Sequence, residues 1–137
     1  MANTLYDPGR ASFLGADIDW LADNIKVCLV EGYTPNAATD DFLADVTGAG
    51  GGTIVATSAN LANKTATAGV ADADDITFTE VPAGDPCGHL VIYKDTGSAA
   101  TSNLIGVIDT ATGLPLTPNG GDVTVQWDSG ANKIFKL

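Results

Sequence analysis

The chain has 137 residues, with 6 Lys plus Arg against 17 Asp plus Glu, one His and two Cys. A single domain of this size buries roughly two thirds of the surface its unfolded form exposes, so its core needs neither disulfides nor a structural metal. A net charge of -11 repels phosphate backbones and anionic headgroups, which excludes nucleic acid and membrane surfaces from the expected partners.

No apolar run approaches the roughly 20 residues that span a bilayer, and residues 1–10 lack the basic-then-apolar order of a secretion signal. The expectation is a soluble protein made in the cytoplasm. Hydrophobic residues form 45% of the chain while only 17% of residues are charged, so the polar surface is built from short side chains. Many short side chains and turn residues point to β structure.

At the start, Leu5, Tyr6, Phe13 and Leu14 are spaced for a short amphipathic helix over 7–15, with Pro8-Gly9 early in it or dividing it. Residues 1–20 form a candidate docking arm. The run Ile25-Lys26-Val27-Cys28-Leu29-Val30 is rich in β-branched residues and reads as a strand buried on both faces. After a turn at Tyr33-Thr34-Pro35-Asn36, Thr39 or Asp40 is placed to cap a brief helix carrying Phe42, Leu43 and Val46. Residues 47–52, Thr-Gly-Ala-Gly-Gly-Gly, offer little to pack and read as a flexible connection or exposed arm.

From Thr53 onward the sequence predicts strands over 53–58, 64–67, 76–81, 90–94, 104–109, 122–128 and 133–137. The segment 122–128 alternates strictly, with Val123, Val125 and Trp127 toward a core. Ser129-Gly130-Ala131-Asn132 then reads as the turn of a terminal hairpin, so deletion of the last residues is expected to damage the core. The fold class is mainly β, an antiparallel β-sandwich or barrel-like single domain over 1–137, with one or two short helices in the N-terminal third.

The search for chemistry finds little. His89 stands alone before the run Leu90-Val91-Ile92-Tyr93 and reads as structural or surface rather than as a catalytic base. Cys28 reads as buried and Cys87 as partly exposed, both as free thiols, although a disulfide stays open if their strands are neighbours. The run Ala71-Asp72-Ala73-Asp74-Asp75 lacks the central Gly and distal Glu of a calcium loop and reads as a solvated turn. Asp17 and Asp19 read as capping or solvating the edge of Trp20. No catalytic, cofactor or metal residue is assigned, and no enzyme activity is expected. The candidate interface anchors are Leu5, Tyr6, Phe13, Trp20, Tyr33 and Tyr93, with core packing open as the alternative for each aromatic.

Several strings carry a resemblance: Thr4-Leu5-Tyr6-Asp7, Gly15-Ala16-Asp17-Ile18-Asp19-Trp20, Tyr33-Thr34-Pro35, Leu90-Val91-Ile92-Tyr93-Lys94-Asp95-Thr96-Gly97 and Asn132-Lys133-Ile134-Phe135-Lys136-Leu137. With Ile108-Asp109-Thr110-Ala111-Thr112-Gly113-Leu114-Pro115 and the run from Thr117 to Trp127, they cover nearly the whole chain. The sequence resembles a family of small virion structural proteins of tailed bacteriophages. Pro8, residues 48–52 and Asp85-Pro86-Cys87-Gly88 depart from that pattern.

The resemblance implies a virion structural protein without fixing its place; with an acidity unsuited to the DNA-facing side and a compact domain, the expectation is a capsid decoration or cement protein on the outer head surface. Its partners would be the major capsid protein or other virion proteins, and it would be a homo-oligomer on the particle. A neck, tail or head-fibre component contacting the host is the structural alternative. A carbohydrate-binding module stacking sugars on Trp20, Tyr33 or Tyr93 is the alternative from another class.

Overall fold

The computed structural model describes residues 3–137. Its centre is an open five-stranded antiparallel sheet in the order β1-β7-β6-β2-β3. These strands are β1 (Thr4–Leu5), β2 (Ile25–Glu31), β3 (Thr53–Thr57), β6 (Cys87–Lys94) and β7 (Leu104–Ile108). Two ribbons complete the β structure: β4 (Val70–Ala71) with β9 (Phe135–Lys136), and β5 (Ile76–Phe78) with β8 (Val123–Val125). The domain is mainly β and antiparallel, as the sequence predicts, and its sheet does not close into a barrel.

The continuous run in β2 works because both faces of the sheet are covered. Ile25, Val27 and Leu29 join Leu90 and Ile92 of β6 in one core, while Cys28 and Val30 join Val91 and Tyr93 in a second. Alternate side chains of a strand point to opposite faces, so two apolar layers need unbroken hydrophobic runs in the central strands. The first core is roofed by the ribbons, through Ala71, Ile76 and Phe78 with Val123, Val125 and Phe135 packed beside them. The second is covered by Tyr6, Tyr33 and Val46, the last from helix α2 (Leu43–Thr47).

Helix α1 (Asp7–Leu14) takes Pro8 in its first turn, where a missing N–H costs nothing. It lies so close to β7 that a Cβ on Gly9 would fall 2.4 Å from the Leu104 carbonyl oxygen. Residues 4–14 are therefore built into the domain: β1 pairs with β7, and Tyr6 N donates to Ile105 O at 3.0 Å. Of the candidate arm over 1–20, residues 1 and 2 lie outside the described residues.

Four sequence expectations are corrected. The cap of α2 is neither Thr39 nor Asp40; Asp45 reaches back to accept from Asp41 N at 2.8 Å and Phe42 N at 3.0 Å. The glycine-rich stretch is packed at two positions: Gly50 and Gly52 are buried, Gly52 N donates to Val46 O, and a Cβ on Gly50 would meet the Tyr33 ring at 2.4 Å, while Thr47, Gly48, Ala49 and Gly51 are exposed. Glycine is needed there because the Tyr33 ring lies against the backbone, which a reading based on chain entropy alone misses. The third concerns the 64–67 strand, which reduces to a single bridge between Thr65 and Asp72.

The fourth is the terminal hairpin. Strand β8 pairs with β5, Ile76 opposite Val125, and β9 pairs with β4, Ala71 opposite Phe135. The alternation of Val123, Val125 and Trp127 is correct, since all three are half-buried against the first core, but the regular strand is only three residues long.

Candidate interaction site

The three carboxylates of the 71–75 run are each engaged with a different neighbour. Asp72 pairs with Lys133 at 3.5 Å, Asp74 accepts from Asn63 at 2.6 Å, and Asp75 accepts from Trp127 N at 2.9 Å. The 71–75 run is thus a turn whose carboxylates diverge. Asp19 Oδ1 accepts from Leu21 N and Ala22 N at 3.0 and 3.1 Å, closing the turn after Trp20. Among the described residues, no group of three or more His, Cys, Asp or Glu is arranged to hold a metal ion.

Both cysteines are free and buried, so the partly exposed Cys87 of the sequence reading is corrected. Cys28 and Cys87 stand on neighbouring strands but in opposite cores, which keeps their sulfurs apart. Burial pushes the Cys28 thiol up to about 12, so it stays protonated and unreactive at neutral pH.

His89 meets the edge of Tyr33 with ring centroids 5.4 Å apart. Among the described residues nothing hydrogen-bonds its buried Nδ1. Burial pushes the imidazole below its usual range, against the opposing pull of Asp109. The folded state then holds His89 neutral while the unfolded chain accepts a proton as pH falls through about 6.5. Its contribution to stability is therefore full above that value and declines as pH drops toward the lower folded pKa. Denaturant midpoints at pH 7.5 and pH 5.5 should differ more for the parent than for His89→Gln; equal differences would remove His89 from the pH dependence.

Tyr33 is the centre of a buried hydrogen-bond chain. Its hydroxyl lies 2.7 Å from Tyr6 Oη and donates to Asp40 Oδ2 at 2.8 Å, and the same carboxylate oxygen accepts from Asn36 N at 2.9 Å. Asp40 is only 5% exposed, so these donors stand in for the water it has lost. Burial raises both phenols well above the ordinary tyrosine range.

This settles where the candidate anchors sit. Tyr6, Trp20, Tyr33 and Tyr93 are buried in the two cores, while Leu5 and Phe13 are half-buried. Burial also removes Trp20, Tyr33 and Tyr93 as sugar-stacking platforms, because a stacking ring needs an open face. Trp20 instead gives its indole N–H to Thr65 O at 3.0 Å and meets Phe135 edge-on at 5.2 Å.

The exposed apolar surface lies elsewhere. Leu14, Leu21 and Leu137 are 90%, 55% and 59% exposed. An open cleft of about 370 Å³ is lined by Phe13, Trp20, Leu21, Ala71, Phe135 and Leu137, with Leu14 next to Phe13 at the end of α1. The sequence reading passed over Leu14 as an anchor, although Phe13 and Leu14 are adjacent on a helix and turn about 100° apart. Only one of two such neighbours faces a core.

Around the cleft the charge is mostly compensated. Lys94 pairs with Asp23 at 3.2 Å and donates to Asp17 O at 2.6 Å, Lys64 donates to Asp23 O, and Lys26 pairs with Asp95 at 2.8 Å. Lys94 at the end of β6 and Lys64 thus hold the 17–24 loop, which carries Trp20 and Leu21, while Lys26 joins β2 to the residue after β6. The Lys26 ammonium beside Asp95 holds that carboxyl below the usual range. No protein-family model matches the sequence, and a search of curated proteins finds no significant match.

Proposed function

We propose that the protein is a bacteriophage virion structural protein that decorates the outer surface of the head and stabilises it. The observation that carries this reading is the apolar cleft bordered by Leu21 and Leu137 on an otherwise acidic domain. Exposed leucines around a concavity are expensive to leave in water, and burying them against a partner recovers about 25 cal/mol per Å². An acidic domain suits the outside of a shell rather than the side that faces packaged DNA. The resemblance to small virion proteins supplies the biological setting, and lattice repetition turns modest contacts into tight attachment.

On this reading the protein acts by attachment, as a homo-oligomer or as neighbouring copies on the major capsid protein, and catalyses no reaction. Co-sedimentation of purified protein with heads that lack it provides the test. Saturable binding to the heads, weakened at least tenfold by Leu21→Glu together with Leu137→Glu, is the expected result. Binding to isolated tails but not to heads would move the protein to the neck or tail.

A further inference from the structure

We propose that a second surface, the groove along the outer edge of β8, takes an extended peptide segment of a partner protein as an added strand. Six consecutive residues, 123–128, line one wall of this groove, so it runs along the strand rather than across it. Three of them, Val123–Val125, are regular strand and span about 10 Å. The rest of its lining includes 110–114 and Leu116 and, from the main sheet, half-buried Ile108 above the buried Leu29 and Leu90. The volume of about 1000 Å³ stands at the upper end for ligand sites.

What selects a peptide is the backbone. Strand β8 pairs only with β5, through Ile76, Thr77 and Phe78. Among the described residues, no backbone–backbone hydrogen bond occupies its other edge. Unpaired N–H and C=O groups beside an apolar floor are what strand addition uses. An added strand would send every second side chain onto Ile108, Leu114 and Leu116, the half-buried apolar residues of the lining, and the others toward solvent. The occupant is therefore a segment with apolar residues at alternate positions.

Its flanks are set by charge. Asp122 and Asp128 bracket the run, and Lys133, which also lines the groove, is paired with Asp72. On a domain of net charge -11, basic flanking residues are favoured and acidic ones repelled. This surface is distinct from the leucine-bordered cleft and does not depend on a place in a virion.

The probe is the blocked peptide acetyl-Lys-Val-Thr-Val-Thr-Val-Lys-amide, titrated into the isotope-labelled full chain with amide shifts as the readout. Shifts confined to 108–116 and 123–128 are expected. N-methylation of one alternate set, the valines or the threonines, should weaken binding at least tenfold and methylation of the other set much less. Glutamate in place of both lysines should also weaken it. Equal binding by both methylated peptides, or no shifts at 123–128 with millimolar peptide, would overturn the proposal. A dimer of the protein alone that perturbs the same residues would also overturn it, assigning the edge to a second copy.

Discussion

Replacing Tyr33 with Phe is expected to destabilise the domain by about 2–3 kcal/mol, from the loss of a hydrogen bond to a buried charged acceptor. The ring still fills its place above Gly50, so packing is nearly unchanged. What is lost is the hydroxyl that donates to Asp40 at 2.8 Å and holds Tyr6 at 2.7 Å. Asp40 keeps the Asn36 amide but no longer has a second donor on that oxygen. Urea unfolding of the single and double Tyr33→Phe and Asp40→Asn variants measures the coupling. Additive losses would show that the chain of hydroxyls carries no shared energy.

The same network gives an alkaline signature. Both phenols have folded pKa values above their unfolded ones, so the unfolded chain ionises first. Stability from this source is full below about pH 10 and is lost as pH rises beyond it. The Tyr33→Phe variant should lose part of that steep alkaline decline.

Removing residues 134–137 is expected to cost roughly 3–5 kcal/mol, the scale of deleting a large core side chain. The loss includes the Ile134 N to Ala71 O and Leu137 N to Gly69 O hydrogen bonds, at 3.1 and 3.0 Å, and the pairing of β9 with β4. It also strips Phe135 from Phe13 and Trp20, whose ring centroids lie 5.9 and 5.2 Å away. Because small domains are stable by only about 5–15 kcal/mol, the shortened chain should melt far below the parent or lose cooperativity. In the full-length chain Phe135→Leu, which keeps an apolar plug and the backbone pairing, should cost much less than the deletion. A truncated protein with the parent's melting temperature would show that the C-terminal strand does not close the core.

Local signals in the sequence were read correctly where the cause is local. The apolar run of β2 and the alternation over 123–127 state their burial directly, and of the two places open to Pro8 the structure takes the first turn of α1. The terminal hairpin was misread because Ser129-Gly130-Ala131-Asn132 advertises a turn but says nothing of which strands it joins. The partners of β8 and β9 lie at Ile76–Phe78 and Val70–Ala71, too far back along the chain for turn chemistry to specify.

The site was less legible for the same reason. Burial of an aromatic depends on which residues close over it: Gly50 beneath Tyr33, and Phe135 across from Trp20. Once those rings are enclosed, Leu14, Leu21 and Leu137 are the large apolar side chains left exposed among the described residues. Leu21 follows a buried Trp20 and Leu137 ends the chain, so neither has a periodic pattern to mark it.

The central proposal is that the protein acts by being held among many protein neighbours in a virion. The most direct measurement of that proposal is its copy number in purified phage particles, by quantitative mass spectrometry against the major capsid protein. The account predicts a fixed ratio to the capsid protein that persists in tailless heads. Absence from washed particles, with the protein free in the infected-cell extract, would contradict it.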